Sequence, residues 1–442
     1  SYGPGRYDPE YELAGRDYPI GYIRWTERRN LECFLDLLAR RRIDVEPLIS
    51  HVAHFADAVA TYRALNEGDL KAVAVLFEYR DKATTTARPV VSSVPVPVPA
   101  AAGGRALAGP LRVAFIGAGN YACSMLLPHL TRREDVELRR VVTTSALSGA
   151  NARRKFGFAE ASTDLDAALA DPSTDAVFIV TRHSSHAELT SRALRAGKAV
   201  FVEKPLALSE AEVTTVLDAI GESGNDRLQV GFNRRFAPLL REAMGRFGHR
   251  GGPASIRYLV NACRLEHGSW YTRTATEGSR FVGEGGHFID TASALLLADP
   301  SSVYAVATPS GDDVQVLLRY PDGSTATISY LTSGAASFPK ETVEVIADGR
   351  VLRFDDFTRA SVYGRKRWAS SRIPRGRDKG QAAEVDAFVT AVRAGGPMPV
   401  AVSSLAATTL ATLAVHTSLA VGAPVRIELP VPAGSERQEA PA

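Results

Sequence analysis

The run Val113-Ala114-Phe115-Ile116 passes directly into Gly117-Ala118-Gly119-Asn120-Tyr121-Ala122 and then into a helical pattern. Few short patterns constrain a chain so strongly. A wholly apolar run is buried on both faces, which suits a central strand of a parallel sheet. The glycine turn then sends the chain back along the sheet as a helix. In that geometry Gly117 allows the tight turn, Gly119 lets backbone come close to a pyrophosphate, and Ala122 permits close helix–strand packing. The first helical amides, at Asn120 and Tyr121, face the same point and suit an anion. A bare glycine pattern recurs by chance, so it is the order strand, turn, helix that predicts a dinucleotide site here.

The residues that follow keep the same rhythm. Apolar runs at Arg112–Ile116, Leu138–Thr143, Ala176–Val180, Ala199–Val202 and Leu228–Phe232 alternate with helical stretches, one opened by the capping box Ser209-Glu210-Ala211-Glu212. Alternation of this kind predicts an α/β fold, a Rossmann doubly wound parallel sheet over 111–232. The second strand ends in Thr143-Thr144-Ser145, where an acid would bind ribose hydroxyls and repel a 2′-phosphate. Hydroxyls such as that of Thr143 do neither strongly, and Arg153 and Arg154 follow, so both NAD and NADP are admitted as cofactors.

Two further segments carry chemistry. Ala199-Val200-Phe201-Val202 delivers Glu203-Lys204-Pro205 to the carboxyl end of the sheet, where open parallel sheets bind ligands. An ammonium there can orient a substrate oxygen and lower the cost of alkoxide character. Gly285-Gly286-His287-Phe288-Ile289-Asp290 reads as the opening of an apolar helix, and an imidazole titrates near neutrality. Lys204 and His287 are therefore the candidate catalytic pair, with His287 taking a hydroxyl proton as hydride leaves.

After residue 232 the pattern changes to alternating runs at Ser255–Val260, Val303–Thr308, Val314–Tyr320, Thr325–Tyr330 and Thr342–Ala347. They predict an α+β domain over 233–427, an open antiparallel-rich sheet with helices at about 287–298, 382–394 and 404–420 on its other face. Residues 428–442 read as a disordered tail. Upstream, a Pro/Ala-rich linker spans 83–110, stiffened by Val94-Pro95-Val96-Pro97-Val98-Pro99. Before it, residues 1–82 read as a helix over 27–41 with an apolar stripe at Leu31, Phe34, Leu35 and Leu38, a strand over 43–49, a helix over 55–65 and a strand over 72–77.

Bulk properties exclude several classes. A net charge of +3 over 442 residues gives no argument for nucleic acid or membrane partners. No apolar run reaches the roughly 20 residues of a membrane span, and no secretory leader is visible. The three cysteines, Cys33, Cys123 and Cys263, match no metal spacing and suit a reducing cytoplasm. Cys33 and Cys123 fall in apolar helical patterns and read as small buried hydrophobes. No metal is expected.

Taken in order, the glycine turn, Thr181 and His186, Ala196-Gly197-Lys198 leading to Glu203-Lys204-Pro205, Gln229-Val230-Gly231-Phe232-Asn233-Arg234-Arg235-Phe236 and the His287 segment resemble the Gfo/Idh/MocA oxidoreductases. The resemblance spans about 111–427. It implies NAD(P)-dependent hydride transfer to or from a hydroxyl of a sugar, nucleotide-sugar or cyclitol-like substrate. Thr181, His186 and Glu203 then join the cofactor side, and Arg235, Trp270, Tyr271, Glu284 and Asp290 the substrate side. Many members carry an aspartate four residues before the catalytic histidine. Here that position is Gly283, with Glu284 adjacent. A homo-oligomer formed through the open sheet is also implied. The alternatives are an NAD-assisted elimination or epimerisation enzyme, or a non-catalytic dinucleotide-sensing or scaffold protein on the same fold. Residues 1–82 resemble the C-terminal end of a medium-chain, zinc-type alcohol dehydrogenase, so the chain reads as a bi-domain oxidoreductase fragment. With a single module end present, His51 and His54 read as packing or surface residues rather than zinc ligands.

Overall fold

Apolar runs become strands only where a neighbouring strand satisfies their backbone groups, and the chain meets that condition in two separate units, 1–92 and 93–442. The computed structural model describes residues 11, 17–19, 22–40, 42–54, 57–70, 72–78, 106–264, 274–309, 311–364, 367–371 and 376–430. In the first unit these form α1 (Glu27–Ala39), β1 (Ile49–His54), α2 (Ala58–Glu67) and β2 (Ala74–Glu78), with β1 and β2 paired in parallel. The strand expected over 43–49 lies instead at β1. Asp44 accepts the Glu46 amide (3.0 Å) and Pro47 has no amide to give, so 46–48 close into a tight helical turn. The apolar stripe of α1 stays open, with Leu31, Phe34 and Leu35 45–62% exposed. Cys33 on α1 is half-buried, as are Cys123 and Cys263 further along, and all three are free thiols.

The second unit starts with β3 (Leu111–Ile116), a helical run from Asn120 that widens over Ala122–Leu126 and ends as α3 (Leu127–Leu130), β4 (Val136–Val142), α4 (Ala146–Phe156), β5 (Glu160–Ser162) and α5 (Leu165–Ala170). It continues with β6 (Ala176–Ile179), α6 (His186–Arg195), β7 (Ala199–Val202), α7 (Glu210–Ser223) and β8 (Leu228–Val230). The six strands lie in the order β5-β4-β3-β6-β7-β8, all parallel. Strand order reverses between β3 and β6, which puts the Gly117 turn at the switch point where such sheets bind ligands. β5 escaped the sequence reading because it is three residues long and lies on an exposed edge.

A second sheet follows, built from α8 (Pro238–Phe247), β9 (Ser255–Asn261), α9 (Thr274–Glu277), α10 (Arg280–Leu296), β10 (Ser302–Ala307), β11 (Val314–Arg319), β12 (Thr325–Leu331), β13 (Glu341–Ala347), β14 (Arg350–Asp355), β15 (Arg359–Tyr363), β16 (Trp368–Ser371), α11 (Gln381–Ala394), α12 (Val402–Val421) and β17 (Val425–Arg426). Its nine strands run β16-β15-β14-β13-β9-β12-β11-β10-β17, antiparallel except for the β9–β12 pair. The inward residues pack under α8, α10 and α12. Their outward neighbours form mixed rows, one of which crosses eight strands as Tyr304, Leu317, Thr327, Arg257, Glu344, Arg353, Ser361 and Ala369.

Two helices differ from the sequence reading. α10 begins at Ser279, whose hydroxyl caps Val282, so His287 sits mid-helix and not at its start. The glycines Gly285 and Gly286 mimic a helix boundary but serve packing. A Cβ at Gly285 would lie 2.5 Å from the Phe281 ring, and one at Gly286 3.0 Å from Phe232. α11 does not cover the second sheet. Val385, Phe388, Val389 and Val392 lie in the core of the first one, with Phe388 edge-on to Phe178 (5.4 Å) and Phe201 (5.6 Å). Its periodicity announces an apolar face but cannot say which sheet that face meets. Among the described residues, α12 alone is long and apolar enough to cross a membrane, and here it packs between α10 and β10 as a core helix.

Candidate active site

At the nucleotide end the backbone does the shaping. Gly117 has φ 95°, and a Cβ there would stand 2.4 Å from the Val180 carbonyl oxygen, so only glycine fits. Its amide donates to Val142 O (2.9 Å), fixing the turn to the neighbouring strand. Gly119 is different. A Cβ there would meet nothing within 4 Å, so the space above the turn is open at the position where a pyrophosphate must approach. Asn120 and Tyr121 begin the helical run beside that space, and Ala122 is fully buried beneath it. These features fit a dinucleotide.

The other cofactor-side residues have varied duties. The Thr143 hydroxyl donates to Ser145 O (2.8 Å) and so shapes the turn after β4. Thr181 Oγ1 is hydrogen-bonded to Ser185 Oγ (2.7 Å). His186 is 1% exposed, with Nδ1 2.8 Å from Pro205 O and Nε2 3.3 Å from Thr181 O. Its ring therefore ties α6 to the Lys204–Pro205 segment, and its side chain has no face left for a cofactor. Burial pushes this imidazole down to about 4, so it stays neutral. Glu203 is buried as well, its carboxyl in a niche that exists because residue 231 is glycine; a Cβ at Gly231 would be 2.8 Å from Glu203 Oε1. Burial pushes Glu203 up to about 7, against the pull of Lys204.

Lys204 brings the first sheet to the helix of the second. Its Nζ donates to the Gly283 carbonyl oxygen (2.8 Å), one turn before His287 on α10. His287 is 8% exposed, and its Nδ1 is buried without a hydrogen-bond partner. A small crevice of about 10 Å³, lined by Lys204, Phe232, Gly283, Gly286 and Thr412 among others, lies at this junction. A parallel-sheet switch point, an open glycine turn and a lysine–histidine junction between two sheets thus occur in one unit.

Residues 111–232 match the model of the Gfo/Idh/MocA oxidoreductase family, NAD-binding Rossmann fold. Residues 111–232 are thus this family's NAD-binding domain. An uncharacterised oxidoreductase of Rhizobium meliloti is 25% identical over 309 residues, covering 66% of this chain and 91% of that protein. The inositol 2-dehydrogenase of Rhizobium meliloti strain 1021 is 33% identical over 180 residues, 37% of this chain and 52% of its own length. In fold, the crystal structure of levoglucosan dehydrogenase with NADH superposes with a TM-score of 0.63 at 21% identity, over 72% of this chain and 99% of that one. The chain is thus an NAD(P)-dependent oxidoreductase with a Rossmann sheet and a second, mixed sheet.

Around His287 this oxidoreductase concentrates positive charge. Burial, then Arg234, Lys204, Lys379 and Lys340, hold the imidazole well below its usual range, so it is neutral at ordinary pH. Glu341, at the start of β13, takes Arg234 on both oxygens (2.8 and 2.9 Å), Lys379 on Oε1 (2.8 Å) and the Tyr258 hydroxyl on Oε2 (2.7 Å). Burial alone would raise this carboxyl, but Arg234 and Lys379 outweigh it and hold it far below the carboxylate range. Gly380 follows Lys379 with φ 94°, and a Cβ there would sit 2.4 Å from Asn233 O, so the Lys379 segment presses onto the Asn233–Phe236 turn.

Arg235 and Asp290, expected on the substrate, grip each other instead in a two-pronged ion pair (2.5 and 2.9 Å) with Asp290 fully buried. Glu284 is held by Arg280 (3.3 Å) and lies 4.0 Å from Lys340. Trp270 and Tyr271 lie outside the described residues. Sequence reasoning missed Glu341, Lys379, Lys340, Tyr258 and the buried Glu384, which accepts from Gln229 (3.1 Å). Only Gly380 gave a local signal, since a glycine before an apolar helix asks for a backbone reason. Among the described residues no three His, Cys, Asp or Glu side chains are grouped to hold a metal.

Proposed function

We propose that the chain is a dehydrogenase that moves hydride between NAD(P) and a hydroxyl of a sugar or cyclitol-like substrate, with Lys204 and His287 as its catalytic pair. The observation that carries this is the Lys204–Gly283 hydrogen bond, which sets an ammonium one helical turn from an imidazole whose Nδ1 is buried and unpartnered. When bound, the nicotinamide supplies the hydride acceptor or donor. Lys204 orients the carbinol oxygen, exchanging the Gly283 carbonyl for it. His287, neutral throughout the ordinary pH range, accepts the hydroxyl proton on oxidation and returns it on reduction. Glu284 is engaged by cations, so the relay has no assisting carboxylate at Gly283 or beside it.

The relatives' names support the substrate class, since they include inositol 2-dehydrogenase and 1,5-anhydro-D-fructose reductase. Both NAD and NADP remain admitted, because Thr143 offers no carboxylate and Arg153 and Arg154 line an open cleft of about 790 Å³ beside α4 and β5. We also propose a homo-oligomer through the outward face of the second sheet, a cytoplasmic location consistent with the free thiols, and a medium-chain-dehydrogenase origin for residues 1–82, consistent with their parallel β1–α2–β2 unit.

The pair is tested by two substitutions. His287→Ala should lower the maximal rate by roughly two to four orders of magnitude. Lys204→Ala should abolish turnover while dinucleotide titration is unchanged. Because His287 is already neutral below its usual range, the parent's acid limb should fall well under the ordinary imidazole range. Normal turnover by His287→Ala would sink the relay.

A further inference from the structure

Glu203 and Glu384, from opposite ends of the sequence of this unit, are buried close enough to repel one another. Strand alternation puts Phe201 and Glu203 on one face of the first sheet, beside Gln229 and Gly231 of the neighbouring strand, and α11 covers that face. Phe388 of α11 stands edge-on to Phe201 (5.6 Å), and one turn earlier Glu384 accepts from Gln229 Nε2 (3.1 Å). The two acids are 6% and 1% exposed. The niche closes tightly on the first of them, since a Cβ at Gly231 would come within 2.8 and 3.0 Å of the two Glu203 oxygens. Tyr121, in the glycine turn, is hydrogen-bonded to Gln381 at the start of α11 and lies in the field of both carboxyls.

Hydrogen-bond donors are short in this niche. The Gln229 amide directs its hydrogens to Val230 O (2.9 Å) and Glu384 Oε1. Among the described residues, Gln229 Oε1 and Glu203 Oε1 are then buried with no donor. Two ionised carboxylates beside a donor-less amide oxygen are too costly to bury, so the niche holds a proton. Burial, then Glu203, keeps Glu384 well above its usual range, which makes it the lasting acid. Burial pushes Glu203 up to about 7, against the pull of Lys204 and a hydrogen bond from the Lys204 amide. The other charges acting on the niche are Arg235 and Asp290, which pair with each other, and Arg234, which acts on Tyr121. Glu203 is therefore the member whose charge changes near neutrality.

Glu203 immediately precedes Lys204, and a nicotinamide that exchanges hydride with a carbinol held by Lys204 must lie close to both. The oxidised ring carries one positive charge and the reduced ring none. We infer that Glu203 senses the oxidation state of the dinucleotide: its carboxyl releases its proton when the oxidised form binds and keeps it when the reduced form binds. The inference rests on the dehydrogenase reading above and adds a specificity-determining residue to that site. When a carbinol is oxidised, hydride passes to the nicotinamide and the hydroxyl proton to His287. Glu203 then takes its own proton back from solvent, because the charge that held it ionised has gone. Low pH thus favours the reduced dinucleotide and high pH the oxidised one, with one proton between them.

The test titrates the full chain with NAD+, NADH, NADP+ and NADPH by calorimetry at pH 6, 7 and 8. PIPES and imidazole buffers, which differ in ionisation enthalpy, report the protons released, and no sugar is needed. At pH 7 about half a proton should leave on binding an oxidised form and none on binding a reduced one. Affinity for the oxidised form relative to the reduced should fall about tenfold from pH 8 to pH 6, following the ionised fraction of Glu203. Glu203→Gln should abolish both effects, whereas Glu384→Gln, which mimics an acid that stays protonated, should leave both. Infrared difference spectra of the parent, oxidised against reduced complex, should show the loss of one protonated-carboxyl band and need no variant. A pH-independent affinity ratio, no proton release, an unchanged carboxyl band, or a release that Glu203→Gln retains would each overturn the inference and leave the dehydrogenase reading standing. Failure of the parent to bind any dinucleotide would sink that reading and the inference with it.

Discussion

The two ends of this candidate active site are made of different materials. At the nucleotide end, the surface offered to the cofactor is backbone: a glycine at φ 95°, a second glycine with open space above it, and the first amides of a helix. Ten consecutive residues specify it. At the Lys204–His287 end the surface is side chain, and its charged groups come from the segments around β7, β8, α10, β13 and the approach to α11. The first is a local shape, and the second an electrostatic balance that exists only once two sheets have met. Local shape fails through sterics, whereas a charge balance fails when one member of a buried network is lost.

Substitutions can break or sharpen that contrast. The largest effect is expected at Gly117. Gly117→Val forces a branched side chain into positive φ and onto Val180 O, and should cost more than about 4 kcal/mol of stability. Gly119→Val should leave the thermal midpoint nearly unchanged, yet weaken dinucleotide binding about a hundredfold, roughly 2.7 kcal/mol. Normal binding by Gly119→Val would move the pyrophosphate site elsewhere. At the other end, Glu341→Gln strands Arg234 and Lys379 without their counter-ion. It should cost about 3–5 kcal/mol in urea unfolding, the range for breaking a buried pair from one side. A loss under about 1 kcal/mol would show that the network is not the support of that end.

A pH-dependent effect concerns Glu203, the neighbour of Lys204. Its carboxyl is raised from 4.5 to about 7 in the folded chain. Above about pH 4.5 the unfolded carboxyl ionises while the folded one keeps its proton, so stability is lost as pH rises to about 7. The loss is at most roughly 3 kcal/mol. Glu203→Gln should flatten that slope, seen as urea midpoints at pH 4.5 and 8 that lie closer together than the parent's. Equal slopes in the two proteins would mean that Glu203 ionises normally.

Legibility in the sequence follows the same division. The Rossmann sheet and the turn at Gly117 could be read because β3, β6, β7 and β8 are nearly continuous buried runs and the turn residues are contiguous. Lys204 and His287 could be named, but His287 was placed at a helix start, because Gly285 and Gly286 are rare inside helices and here serve contacts with Phe281 and Phe232. His186 was read as a cofactor neighbour, since nothing local shows that both ring nitrogens meet carbonyls. Arg235 and Asp290 were read as substrate ligands for the same reason: each is polar, and the partner of each lies 55 positions away. Glu341 left no trace at all. A glutamate opening a strand looks like a solvated edge until Arg234 and Lys379 fold over it.

The return of α11 to the first sheet bears on how the protein is made. Phe388 closes over Phe178 and Phe201, and Val385, Val389 and Val392 complete the same core. Residues 111–232 therefore leave the ribosome with part of their core surface uncovered. The covering helix ends at Ala394, about 160 residues later, or roughly 10–30 s at ordinary elongation rates. During that interval the aromatic face over β6 and β7 is exposed in the nascent chain. The cofactor layer must thus await the substrate layer, and a synthesis pause between residues 232 and 394 would lengthen the time in which this face can capture a wrong partner.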